Sequence, residues 1–255
     1  MDFTYRKYHE LLQVLIEHKY QLGSLVAYME SPAPKCCIIR HDVDSWPSNA
    51  LQMAKLEAEL EISATYYFRV SPLSFDKNII SSIVALGHEL GYHYEDLTMH
   101  NGNMEKAIAS FQNNLKHFRE FYPVKTIAMH GKPLSRWNNL DLWKKYDYRE
   151  FGLVCEPYYS LNYDEILYLT DTGNCWDGHK YSIRDEVNSA FNYKIHSTDD
   201  LINHIHNQHL PDKILMNIHP ARWNDNLLKW IIRYYILTLP KYQTKKWVKQ
   251  WRKRQ

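Results

Sequence analysis

The sequence has little of what marks a disulfide-stapled secreted domain, a nucleic-acid binder or a membrane span. It has four cysteines, at positions 36, 37, 155 and 175, none in a CxxC or Cys-His zinc spacing, so reduced thiols are expected. It has no excess of one charge. Lys and Arg total 31 against 29 Asp and Glu, a formal net charge of +2, which lacks the electrostatic footprint of a nucleic-acid partner. No stretch approaches the roughly 18 uninterrupted apolar residues of a membrane helix. Met1-Asp2-Phe3-Thr4 does not open a basic region followed by an apolar one, and low-complexity linkers and fixed-period repeats are missing too. These absences point to a soluble protein of the cytoplasm.

What is present is enough apolar material for one sizeable core. With 255 residues, 45% of them hydrophobic, a single domain over 1–255 is the expectation. Aromatics make up 14%, with 20 Tyr and 8 Trp. Most such rings pack in cores; some cover the apolar faces of sugars while their polar tips hydrogen-bond.

Along the chain, strand-like and helix-like patterns alternate. Tyr5 to Glu17 places Tyr8, Leu11, Leu12 and Leu15 at helical spacing, and Ser24 can cap a second, short helix. Cys36-Cys37-Ile38-Ile39 is an apolar run ending in Arg40-His41-Asp42-Val43-Asp44, as a buried strand with a charged tip would. A helix over 48–60, a strand over 64–68, a helix over 78–86, a strand over 88–94 and a long helix over about 104–121 follow. Thr126 to Met129 then ends at His130, and Ile214 to Ile218 ends at His219. Such alternation predicts parallel strands with crossover helices, an α/β fold of the distorted (β/α) barrel kind, whose strand C-terminal ends share one mouth. Four of these strand tips carry His or Asp.

In Asp42-Val43-Asp44 both carboxylates can project into that mouth while Val43 packs the other way. One is then available to a metal and the other to act as a base. On its own, Asp-x-Asp is more often a solvated turn, so the histidines at the neighbouring tips carry the weight.

The segments Arg40-His41-Asp42-Val43-Asp44, Ala64-Thr65-Tyr66-Tyr67-Phe68-Arg69 and Gly87-His88-Glu89-Leu90-Gly91-Tyr92-His93 resemble, in order and spacing, the polysaccharide deacetylase family with the NodB-type fold, related to carbohydrate esterase family 4. The resemblance spans about residues 37–220. It implies Asp42 as catalytic base, Asp44 and His93 as metal ligands, His219 as the acid that protonates the leaving amine, and Asp171 as the carboxylate that orients His219. Position 97, where the family carries its second ligand His, is Leu97. His130 is the preferred third ligand, with Glu95, Asp96 and His100 as alternatives. The family's third motif normally supplies an Arg beside the base, whereas this chain has Met129-His130-Gly131-Lys132-Pro133; Arg40, Arg69 or Lys132 must provide that charge. Arg40, Arg69, Tyr94 and Lys132 are also the substrate-binding candidates, and Tyr158, Tyr159, Trp137 and Trp176 are candidate rings for the mouth.

The activity this resemblance implies is metal-dependent N-deacetylation of an amino sugar or polysaccharide precursor, with zinc foremost among zinc, cobalt, nickel and iron. Two alternatives stand beside it: another metal-dependent C–N or ester hydrolase on the same barrel, and a catalytically silent carbohydrate-binding relative. Finally, residues 241–255 hold Lys241, Lys245, Lys246, Lys249, Arg252, Lys253 and Arg254 with no acidic residue, and Trp247 and Trp251 at helical spacing. A solvated basic helix is the plainer expectation, and peripheral contact with an anionic membrane the sharper one.

Overall fold

The computed structural model describes residues 1–132, 134–177, 187–226 and residue 228. The basic tail at 241–255 lies outside the described residues. No described helix is long and apolar enough to cross a membrane, and all four cysteines are buried thiols outside any disulfide.

Helix α1 (Tyr5–Glu17) begins where the Thr4 side chain accepts from the Lys7 N–H, and it buries Tyr8, Leu11, Leu12 and Leu15. Burying such side chains stabilises the fold by about 1.5–3 kcal/mol each. Strand β1 (Gln21–Gly23) and helix α2 (Leu25–Glu30), capped by Ser24, lead to β2 (Cys36–Val43). Then come α3 (Pro47–Glu59), β3 (Thr65–Phe68), α4 (Lys77–Ala85) and β4 (Glu89–Tyr94). Short α5 (Asp96–Met99), α6 (Met104–Phe118) and β5 (Ile127–Met129) follow. Further along are α7 (Pro157–Ser160), β6 (Leu167–Thr170), α8 (Thr198–His206) and β7 (Lys213–Ile218).

Among the described residues the strands form one seven-stranded sheet in the order β5-β4-β3-β2-β7-β6, with β1 beside β2. Every pairing is parallel. β7 occupies one edge of β2 from Cys36 to His41, so β1, at Cys36–Ile38, and β3, at Arg40–Val43, share the other. Beyond β5, the Ile127 N–H donates to the Cys155 carbonyl at 3.0 Å, and the sheet curls there. Cys155 and Ala128 from that side meet Tyr168 and Leu215 from β6 and β7 in one buried cluster with Ile38 and Tyr67. The architecture is the distorted (β/α) barrel, and its two-residue alternation sorts the side chains. Ile38, Tyr67, Ala128 and Leu215 fill the inside, whereas Cys37, Ile39, Tyr66, Leu90 and Ile218 join the larger core under the helices.

β2 runs to Val43, four residues past the end of its apolar run, and all eight of its residues are buried. Its charges are absorbed on both faces. Inward, Arg40 pairs with Asp42; outward, His41 Nε2 lies 2.6 Å from Glu57 Oε1, and Tyr66 donates to Glu57 Oε2 at 2.7 Å. Tyr8 also donates to Glu57. Buried charges paired and hydrogen-bonded in this way need not end a strand.

Candidate active site

The C-terminal ends of β2, β4, β5 and β7 bring Asp42, Asp44, His93, His130 and His219 to one mouth. Inward-facing positions of β2 and β4 supply Asp42 and His93; Asp44, His130 and His219 follow their strands directly.

The tautomers of two imidazoles are fixed by what their Nδ1 atoms touch. His93 Nδ1 lies 2.9 Å from the Ala128 carbonyl, and His130 Nδ1 lies 3.0 Å from Glu95 Oε2. Both neighbours accept, so each Nδ1 donates and each Nε2 turns a lone pair into the site. Those lone pairs face carboxylates. His93 Nε2 is 3.6 Å from Asp44 Oδ1 and 3.7 Å from Asp42 Oδ2, and His130 Nε2 is 3.5 Å from the same Asp44 Oδ1. Asp44 Oδ1 is buried with no hydrogen-bond donor. Acceptors converging without a proton between them are what a cation satisfies. Two donors on one tetrahedral zinc, each about 2.0–2.1 Å from it, stand about 3.4 Å apart. A carboxylate, two imidazoles and their Nδ1 partners also match the donor chemistry and outer contacts of zinc sites, so these residues fit a divalent metal. Among the described residues a tighter donor group also occurs, Cys175, Asp177 and His196, with all three donor atoms within 4.8 Å of one another; the Asp44 group is the more open.

Electrostatics agree with this division. Burial pushes the Asp44 carboxyl up, but His130, His219, His93 and Arg69 outweigh it and hold the group far below its ordinary value. Burial, with the charges of His130 and Arg40 beside it, lowers His93 despite Asp42 and Asp44, which keeps its ring neutral and able to donate its lone pair. For His130 burial works downward, but Asp44 and Glu95 pull it up, so a proton competes for that nitrogen. Glu95 is the hub of the surrounding contacts. It accepts from Arg69 Nε at 3.0 Å and Nη2 at 2.6 Å, and Arg69 Nη1 reaches the Asp44 carbonyl at 3.3 Å. Burial raises Glu95, but His130 and Arg69 bring it down to about 2.

Asp42 is clamped from its own strand. Arg40 Nε and Nη2 donate to Asp42 Oδ1 and Oδ2, both at 2.8 Å. The guanidinium is fully buried and lies over the rings of Tyr67 and Tyr158, 5.4 and 5.5 Å from their centroids. Burial pushes Asp42 up, yet Arg40, His93 and His219 together lower it. Across the site, His219 Nδ1 lies 2.7 Å from Asp171 Oδ1, and the His219 N–H donates to Oδ2 at 2.9 Å. Trp223 Nε1 donates to the same Oδ2 at 2.9 Å. Burial raises Asp171, and Arg222 and His219 more than offset it.

Other candidates stand elsewhere. Arg40 places Nε and Nη2 on Asp42 while its buried Nη1 has no hydrogen-bond partner, and Arg69 has its donors on Glu95 and the Asp44 carbonyl, so both brace the site. Tyr94 points out of the barrel: its ring packs on Phe111 and Trp143 with no exposure. It is a core residue, because β4 puts it on the face opposite His93. Trp176 likewise packs against Phe3 and Trp223. Asp96 faces α6, bonded to Tyr92, Ser110 and Asn114. His88 is tied to the Ala64 N–H and the Ala54 carbonyl. Leu97 is buried. Lys132 is exposed, and Tyr159 is half-exposed, its hydroxyl donating to the Leu140 carbonyl. Sequence reasoning missed Glu95 as partner of His130, although its inward position two residues after His93 signals it. It also missed Glu156, which is fully buried and accepts from the Met129 and Tyr158 N–H groups.

No protein-family profile matches the sequence, and no curated protein matches it. Solved structures do. A Streptococcus mutans CE4 esterase shares 14% identity over 88% of this chain and 85% of its own, with a TM-score of 0.45. A family 4 carbohydrate esterase from Bacillus anthracis shares 13% identity over 92% of this chain and 86% of its own, with a TM-score of 0.38. Likeness this distant decides nothing about the chemistry, which rests on the residues above.

Proposed function

We propose that this chain is a metal-dependent hydrolase that removes the acetyl group from an N-acetylated amino sugar in a glycan or glycan precursor. The observation that carries this reading is the convergence of Asp44 Oδ1 and the inward-facing Nε2 lone pairs of His93 and His130 beside an arginine-clamped Asp42 and a carboxylate-held His219. The motif resemblance names the substrate class.

A divalent cation on Asp44, His93 and His130 would supply Lewis-acid polarisation to the amide carbonyl and the attacking water. Asp42 takes the proton of that water. Arg40 occupies one lone pair on each of its oxygens and leaves the others open, and the lowered pKa keeps the carboxylate ionised at neutral pH. His219 Nε2 delivers a proton to the departing nitrogen, since an amine leaves poorly as an anion. Asp171, accepting from Nδ1, holds the ring in the orientation that aims Nε2 at the mouth.

Elemental analysis with acetate-release assays tests the assignment. The parent should hold near-stoichiometric metal, lost in Asp44→Ala and His93→Ala. Asp42→Asn should keep the metal and lose turnover by about 10²–10⁴. Equal metal loss in all three variants would overturn the division of roles. Metal without turnover on any acetylated sugar would favour a silent carbohydrate-binding relative.

A further inference from the structure

His93 and His130 are held in different ways. His93 lies within β4, where it pairs with Ala128 of β5, whereas His130 stands one residue beyond the end of β5. A side chain outside the sheet is aimed only if other bonds fix its peptide. Three such bonds are present. The His130 N–H donates to the Tyr94 carbonyl at 2.9 Å, Glu95 Oε2 accepts from the ring Nδ1 at 3.0 Å, and Asn139 Nδ2 donates to the His130 carbonyl at 2.9 Å. The third bond comes from the start of the 3-10 helix Asn139–Lys144, nine residues further along the chain.

Asn139 is buried, 1% exposed, and both ends of its amide are in use, because Oδ1 accepts from the Thr98 N–H at 2.9 Å. Turning the amide over would set Nδ2 against an N–H and Oδ1 against a carbonyl, so its orientation is fixed. Thr98 belongs to α5, which follows β4. One buried side chain thus joins the segment after β4 to the segment after β5, the two strands that bring His93 and His130 to the mouth. Only an amide does this: an aspartate of the same shape lacks the donor, and leucine lacks both groups. We propose that Asn139 is a positioning residue of the metal site, holding the His130 peptide so that Nε2 meets a cation on Asp44 and His93. This rests on the metal-dependent reading above and adds to it a residue that touches neither metal nor substrate. Residues that orient a metal-ligating histidine typically change metal affinity about 10–100-fold when replaced.

The test is zinc affinity by competition with a chromophoric chelator, beside the visible spectrum of the cobalt-loaded protein and the melting temperature in chelator. The parent is compared with Asn139→Asp, Asn139→Leu and His130→Ala. Asn139→Asp and Asn139→Leu should each weaken zinc about 10–100-fold and move the cobalt spectrum toward that of His130→Ala. Asn139→Asp keeps the shape and the acceptor for the Thr98 N–H, so it serves where leucine fails to fold. Zinc affinity and a cobalt spectrum equal to the parent's in folded Asn139→Asp overturn the proposal. If only the melting temperature in chelator falls, Asn139 serves the fold alone, which also overturns it. His130→Ala with the parent's affinity and spectrum would remove His130 from the ligands and Asn139 from its role, while the metal reading stands on Asp44 and His93. A parent that takes up neither zinc nor cobalt overturns the metal reading itself, and this inference with it.

Discussion

Replacing Glu156 with glutamine should flatten the pH dependence of stability between about pH 4.5 and 8. Glu156 is fully buried at the start of α7, and Arg40 is the positive charge that acts on it. Burial pushes its carboxyl from 4.5 up to about 7, although Arg40, the Tyr158 and Met129 N–H groups and the Tyr94 hydroxyl all act to lower it. A carboxyl raised on folding contributes its full stability below the unfolded value and loses it as pH climbs through the folded one. At about 1.4 kcal/mol per pH unit, the rise from 4.5 to about 7 corresponds to about 3 kcal/mol lost between pH 4.5 and 8. Urea unfolding of the parent and of Glu156→Gln, in chelator so that metal binding does not contribute, measures this as a difference of differences. The parent should lose about 3 kcal/mol more than the variant over that range. Equal losses in both proteins would refute the burial argument for this group.

Two further outcomes follow from close contacts. A Cβ at Gly91, on the inner face of β4, would land inside the Tyr67 ring and 3.2 Å from the Thr126 carbonyl. Gly91→Ala should therefore cost about 1–3 kcal/mol in urea unfolding, and an unchanged midpoint would show that the ring yields freely. Asp171→Asn removes the carboxylate that accepts from His219 Nδ1, the His219 N–H and Trp223 Nε1. It should lower kcat by about 10²–10⁴ with metal content unchanged, and loss of metal alongside would mean that Asp171 serves the ligands instead.

The barrel was legible because its strands are short apolar runs with polar tips, and the helices between them carry clear caps such as Ser24 and Asn103. The meeting of Asp42, Asp44, His93, His130 and His219 at one end of the sheet was legible for the same reason: a tip has few places to point. What escaped depended on partners far away in sequence. β1 is only three residues long and exists because β2 offers it an edge. The partner of Asp42 was left open among Arg40, Arg69 and Lys132, since spacing does not say which guanidinium folds back along its own strand. Tyr94 was misplaced because it adjoins His93 in sequence; alternation along β4 sends it to the opposite face.

β2 shows why charge did not end a strand whose apolar run stops at Ile39. An arginine and an aspartate two residues apart on one face bond each other, and the histidine between them bonds a glutamate delivered by α3. Neither network is a strong argument for stability, since burying ion pairs costs about as much as their attraction returns. Their consequence is positional. Asp42 is held from below by two parallel hydrogen bonds, the strand behind it is fixed to α3 through His41 and Glu57, and Asp44 is held through its carbonyl by Arg69. In the proposed function, where Asp42 would meet a water beside a metal, a carboxylate gains more from a fixed direction than from added stability, because misplacement by an ångström is costly in rate. The same-strand arginine therefore does for Asp42 what an arginine from a separate loop would do, without depending on that loop's placement.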